Sequence, residues 1–375
     1  MLKPLSQHAA DLATLASSTR FRHLIPQVGI DFSSNDYLGL ASSGLLAEAA
    51  HTALDHGVPL GSGGSRLLRG NHPEHEALEA EAAALFGCES ALFFSSGYAA
   101  NACLFSTLPQ RGDLILHDAL IHASAHEGMR LSRAEARSVR HNDVQEFSDS
   151  ICAWRKAGGT GTIWIAVESL YSMDGDRAPI NDLLALADIQ NTMLIVDEAH
   201  ATGVFGETGL GLAGHLEGRD NVITLRTLGK ALGCEGALLC GSVIMRDFLV
   251  NRGRSFIFST APSPLMAAVA RAALRVVAEQ PERRNALWQR VQIVETLLAP
   301  LGIAASGSQI IPITIGDDVR TMAAARVVQA AGYDVRGIRP PTVPEGTSRL
   351  RMSITLNIAL DDIVGLTRAI SEALV

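Results

Sequence analysis

Lysine is nearly absent from this chain: of 375 residues only Lys3, Lys156 and Lys230 carry an ammonium side chain, and arginine supplies the rest of the positive charge. Positive charge is also in deficit overall. With a formal net charge of −8 the basic footprint that grips nucleic acid or an anionic membrane is missing, so neither is expected as a partner. The five cysteines (Cys88, Cys103, Cys152, Cys234 and Cys240) form no Cys-x-x-Cys pair and have no matching histidine spacing. That excludes a zinc finger or ribbon and predicts reduced structural thiols with no metal. No stretch approaches the ~20 apolar residues of a membrane helix. No basic segment followed by an apolar run opens the sequence either, and the cytoplasm is the expected location. What remains, 47% hydrophobic and 19% charged residues, suits an ordinary globular protein with one large domain and a smaller one.

Helical spacing over 5–25 predicts an N-terminal arm closed by Pro26-Gln27-Val28-Gly29, followed by a short strand at Ile30-Asp31-Phe32. Helix and strand signals then alternate to about residue 245. Strands are expected at 91–95, 114–116, 163–167, 193–197, 222–226 and 237–243, and helices at 74–85, 98–107 and 180–190. This alternation predicts an α/β fold with a mostly parallel central sheet covered on both faces. After Pro262-Ser263-Pro264 the pattern changes to a long helix rich in alanine and arginine, then shorter strands and a final helix at 360–374. The expected division is an arm at 1–40, a large domain at 41–262 and a small C-terminal α+β domain at 263–375.

Open parallel sheets bind ligands beyond the carboxyl ends of their strands, so the residues just after each strand carry the chemistry. Lys230 follows the strand at 222–226, in Thr227-Leu228-Gly229-Lys230-Ala231-Leu232-Gly233. Arginine stays protonated, whereas a desolvated lysine can lose its proton and bond covalently to an aldehyde such as pyridoxal phosphate. A solvated loop lysine is the plain alternative. One strand earlier stands Asp197-Glu198-Ala199-His200, in which Asp197 could keep a pyridine nitrogen protonated and His200 could bond the ring's phenolic oxygen; a helix cap would give the same pattern. Ser95-Ser96-Gly97-Tyr98 joins a strand end to a helix start, as a phosphate site needs and as a tight turn also would. Thr227 could add a hydroxyl to that phosphate, and Thr260 another from a neighbouring subunit. His122 lies close enough after the strand at 114–116 to cover a ring, with His126 as competitor. Arg339, presented by Arg339-Pro340-Pro341-Thr342-Val343-Pro344, could grip a carboxylate or be a solvated loop arginine.

Taken together these blocks resemble the α-oxoamine synthase family of fold-type I enzymes dependent on pyridoxal 5'-phosphate. The resemblance spans nearly the whole chain. It rests on Ser34-Asn35-Asp36-Tyr37-Leu38-Gly39-Leu40, Gly61-Ser62-Gly63-Gly64-Ser65-Arg66, Ser172-Met173-Asp174-Gly175-Asp176, Asp197 to Gly203, Thr227 to Lys230, and Arg339 to Pro344. The resemblance implies that Lys230 holds the cofactor, Asp197 pairs with the ring nitrogen, His200 and Ser172 contact the ring oxygen, and His122 stacks on the ring. It implies that Ser96, Gly97, Tyr98 and Thr227, with Thr260, hold phosphate. Arg22, Asn35, Arg339 and Thr342 would meet substrate, with Arg20 close enough to Arg22 to compete. The Arg339 block is most similar to the branch that condenses L-alanine with a pimeloyl thioester. The other branches, which take glycine with acetyl or succinyl thioesters, are the alternative, and a homodimer is implied for all of them. An inactive homologue serving as a binding subunit would be expected to have lost Lys230.

Overall fold

The run Ile163-Trp164-Ile165-Ala166-Val167 has no polar alternation. In the computed structural model, which describes residues 4–18 and 20–374, it forms the strand Ile163–Glu168 and is buried throughout. Continuous apolar strands of this kind belong in parallel sheets covered on both faces. A seven-stranded sheet does hold them. Its order in space is Ser90–Phe94, Ala237–Gly241, Val222–Thr227, Met193–Asp197, Ile163–Glu168, Leu114–Asp118 and Glu135–Val139. All neighbours are parallel except Ala237–Gly241, which runs against both of its partners. Alternate residues feed two cores: Ile115, Ile195 and Ile223 enter one, and Leu116, Leu194 and Val222 the other.

Glu135–Val139 was not expected as a strand. Four of its five residues are exposed, because it is the sheet's edge and pairs only with Leu114–Asp118; an edge strand carries none of the apolar run that marks its neighbours. The expected helices form at Pro73–Phe86, Gly97–Thr107, Ile180–Gln190 and Leu360–Leu374. The single long helix expected after Pro264 is two helices, Pro264–Glu279 and Pro281–Leu298. Pro281 lacks an N–H and disfavours the helical region for Gln280, which sits at φ −118°, ψ 68°. The helical arm expected over 5–25 is helix only at Ser6–Ser17, where the hydroxyls of Ser17 and Ser18 turn back to Thr14 O.

The chain divides into a larger unit, 35–172 with 176–286, and a smaller one, 1–34 with 173–175 and 287–375. The larger unit extends beyond residue 262 because the Pro264–Glu279 helix packs on the Gly44–Asp55 and Pro73–Phe86 helices. The smaller unit joins both ends of the chain. Ile30–Asp31 pairs in parallel with Tyr333–Asp334, and a three-stranded antiparallel sheet of Arg336–Ile338, Ser348–Ser353 and Ile310–Gly316 lies against helix Asp318–Ala330, on which helix Leu360–Leu374 packs.

The strand that leads to Lys230 is anchored by a fully buried arginine. Arg226 bonds Glu217 Oε1 at 2.7 Å and Leu210 O at 2.6 Å, lies 3.8 Å from Glu198, and stacks over Phe86 with 4.1 Å to the ring centroid. Removing one partner from a buried ionic group strands the others without solvent. Arg226→Ala is therefore expected to lower stability by about 3–5 kcal/mol, read as a large fall in the thermal midpoint; a loss below ~1 kcal/mol would refute the anchoring role.

Candidate active site

Three neighbouring strands of the larger unit deliver polar side chains to one cavity of about 320 Å3 beyond their carboxyl ends. Met193–Asp197 ends in Asp197, only 7% exposed; the carboxylate accepts from Asn101 Nδ2 at 2.9 Å and from Ala199 N–H at 3.0 Å. His200 follows in the turn, buried, with Nδ1 2.6 Å from the Tyr37 hydroxyl, which also reaches Asn35 Oδ1 at 3.0 Å. Val222–Thr227 ends in Thr227 and turns through Leu228 and Gly229 into Lys230, whose carbonyl accepts from Gly233 N–H at 2.9 Å.

The Gly97–Thr107 helix opens onto the same cavity. Ser96 caps it, its Oγ accepting from Ala99 N–H at 3.1 Å, so a helix N-terminus with its unpaired N–H groups faces the space. Gly97 is needed because a Cβ there would stand 2.9 Å from Thr227 Cγ2. The carboxylate, the anion-binding helix end and the nearby amine form the donor set that a pyridine ring bearing an aldehyde and a phosphate requires, and the residues fit that group.

The cavity brings together eight expected residues: Ser96, Gly97, Tyr98, His122, Asp197, His200, Thr227 and Lys230. Ser172 and Thr260 are not among its lining residues, and Thr260 is exposed. Arg22, Arg339 and Thr342 belong to the smaller unit, where Arg22 donates to Thr342 Oγ1 at 3.2 Å and Arg339 donates to Phe21 O at 3.1 Å. Arg20 is engaged by Asp318 at 3.0 Å and Glu345 at 2.8 Å, whereas Arg22 and Arg339 form no ion pair among the described residues. Arg20 and Arg22 thus differ in their partners. Desolvation, then the neighbouring Arg22, lowers the Arg339 pKa.

The polar lining residues not singled out from sequence include Asn101, Ser124 and Glu168. Glu168 ends its strand in register with Asp197, is 2% exposed, and leaves Oε1 without a hydrogen-bond partner. Burial, then the charge of Asp197, pushes its pKa well above the usual carboxylate range, which favours its neutral form. Its place at a strand end was the available signal. For His122 desolvation and then Lys230 lower the pKa against the pull of Asp197. Among the described residues no group of three or more His, Cys, Asp or Glu could hold a metal ion.

Next to these strand ends His141 bridges Asp118 at 2.9 Å and Asp176 at 2.7 Å, its ring edge-on to Tyr171. Burial disfavours its charge, but the two carboxylates prevail and raise its pKa from 6.5 to about 10. A value raised on folding means stabilisation that is fully present below pH 6.5 and lost as pH rises through about 10. His141→Gln should lower the thermal midpoint by about 5 °C at pH 7, with the gap to the parent closing above pH 10. A gap independent of pH would refute the ionic account.

Comparison with known proteins agrees with this geometry. The family model "Aminotransferase class I and II" matches residues 27–364. The chain is 44% identical over 339 residues to an 8-amino-7-oxononanoate synthase of Anaeromyxobacter sp. (strain K), covering 88% of this chain and 84% of that one. It is 39% identical over 347 residues to 8-amino-7-oxononanoate synthase 2 of Bacillus subtilis (strain 168), covering 90% and 88%. Among solved structures, serine palmitoyltransferase from S. paucimobilis with bound PLP and myriocin superposes with a TM-score of 0.90 at 25% identity, over 100% of this chain and 98% of that one. The 8-amino-7-oxononanoate synthase of Francisella tularensis superposes with a TM-score of 0.77 at 28% identity, over 92% and 98%.

Proposed function

The chain belongs to the aminotransferase class I and II family, and from that premise we propose that it performs the reaction of an 8-amino-7-oxononanoate synthase. This is the decarboxylative condensation of L-alanine with a pimeloyl thioester, in biotin biosynthesis. The enzyme is a PLP-dependent acyltransferase of fold type I, and its cofactor is pyridoxal 5'-phosphate. The observation that carries the reading is one cavity lined by Lys230, Asp197, His200 and a helix N-terminus, in a chain 44% identical to a synthase of this kind.

Bound there, the cofactor supplies a ring that withdraws electrons from the amino acid's Cα. Lys230 is assigned as the covalent anchor and, once displaced, as the base that takes the Cα proton and later returns one. Asp197, buried at its strand end, would hold the proton on the ring nitrogen. His200 and Ser172 hold the ring oxygen and His122 covers the ring face. Ser96, Gly97, Tyr98 and Thr227 receive the phosphate, with Thr260 contributed by the second copy of a homodimer. Asn35, Arg339 and Thr342 position the amino acid, and Arg22 receives the far end of the acyl group. The guanidinium groups of Arg22 and Arg339, without a carboxylate partner among the described residues, support an anionic substrate. Among the described residues no helix is long and apolar enough to cross a membrane.

The likeness to serine palmitoyltransferase favours one other reading, a different amino acid and acyl thioester on the same machinery. Substrates follow side chains more than backbone path. The 44% relative therefore outweighs the 25% one.

Absorbance of the purified protein should change on adding L-alanine, and thiol should be released only when pimeloyl-CoA or a pimeloyl carrier protein is also present. A response to glycine or serine alone would move the substrate and refute this assignment. Lys230→Ala should abolish covalent cofactor attachment and lower turnover by at least about a thousandfold, and Asp197→Asn should keep the cofactor but lose about a hundredfold or more. Near-normal turnover in either variant would overturn the corresponding role. Light scattering is expected to show a dimer.

A further inference from the structure

Four side chains of the cavity form one hydrogen-bonded chain whose polarity can be read atom by atom. Asp197, a carboxylate that only accepts, receives Asn101 Nδ2–H at 2.9 Å. The same amide nitrogen donates its other hydrogen to Ser124 Oγ at 3.0 Å. The Ser124 hydroxyl keeps one proton, and its neighbour is His122 Nδ1 at 2.7 Å, which also faces the Ser124 N–H at 3.2 Å. Two donors converge on Nδ1, so it carries the lone pair and the ring's single proton sits on Nε2. Asn101 is 3% and Ser124 0% exposed, so neither can exchange these bonds for water.

We propose that Asn101 and Ser124 are positioning residues that hold His122 as the neutral Nε2–H tautomer and tie it to Asp197. This deepens the proposed function and rests on its placement of Asp197 and His122 at the cofactor. A ring fixed in this form covers the cofactor without adding a second positive charge beside Lys230. It offers Nε2 as a donor and not as a base, leaving proton abstraction to the lysine. The charged and titratable groups facing His122 are Asp197, which favours its protonation, and Lys230 and His126, which oppose it. Desolvation sides with the latter two.

The test is the histidine side-chain nitrogen spectrum of 15N-labelled enzyme, recorded with the cofactor and after its removal, with the His122 signal assigned by its loss in His122→Gln. The wild type is expected to show a neutral Nε2–H ring at pH 7. Ser124→Ala, which keeps the backbone N–H but removes the hydroxyl donor, should yield mixed tautomers, an upward shift of the His122 titration and about a tenfold fall in kcat with little change in KM. Asn101→Ala should weaken the same lock and also shift the absorbance titration of the bound cofactor. A cationic or Nδ1–H ring in the wild type would overturn the proposal. So would a Ser124→Ala enzyme with wild-type tautomer and titration, whatever its thermal midpoint. A protein that binds no cofactor would sink the proposed function, yet the spectrum of the cofactor-free form would still decide the tautomer.

Discussion

A carboxylate at the end of a buried strand is the constraint around which the larger unit is arranged. Asp197 lies where two flanking parallel strands exclude water, and an ionised group there is costly unless donors replace its lost hydration. Two donors do so: the Asn101 amide and the Ala199 N–H. Asn101 comes from the helix whose N-terminus faces the cavity. The element whose N-terminus faces the cavity therefore also holds the Asp197 carboxylate. The separation between that helix end and that carboxylate is set by a helix and not by a loop.

Charge elsewhere in the cavity is kept low by the same means. Glu168 stands beside Asp197 on the next strand, and two like charges so close in a dry site cannot both persist. Burial resolves the conflict by raising the Glu168 pKa, which favours its neutral form. His122 is likewise held neutral by desolvation and by Lys230. By contrast Arg226 and His141, placed behind and beside the site, carry full charges locked into carboxylates. They stabilise strands and loops and take no part at the cavity.

Much of this was legible in the sequence because parallel strands buried on both faces are written as uninterrupted apolar runs. Residues 163–167, 193–197 and 222–226 each announce a strand, and the polar residue that breaks each run marks the site. Asp197, His200 and Lys230 follow from that logic. Glu135–Val139 does not, since an edge strand has no apolar face on its open side. Asn101 and Ser124 were silent for another reason. Their partners lie 96 and 23 residues from Asn101, so the bond between a helix amide and a strand-end carboxylate has no local pattern. The different partners of Arg20 and Arg22 were equally out of reach, because those of Arg20 are Asp318 and Glu345, some 300 residues away in the chain.

The scarcity of lysine acquires a physical sense from these placements. A guanidinium keeps its proton under all ordinary conditions and presents planar donors suited to a carboxylate, so arginine serves wherever a charge must be permanent. Arg226 inside the core, Arg20 in its ion pairs, and Arg22 and Arg339 without carboxylate partners are all of this kind. An amine that must be charged in one step and uncharged in the next cannot be replaced by arginine, and its proton affinity must be tuned by surroundings that do not themselves titrate. Lys230 stands in a glycine-bounded turn at a strand end, near Glu168 and His122, whose pKa values are displaced towards their neutral forms, and near the Asp197 carboxylate held by two N–H donors. In a chain with two other lysines, the chemistry of the site is reserved to the one residue type that can exchange a proton and form a covalent bond at the same nitrogen.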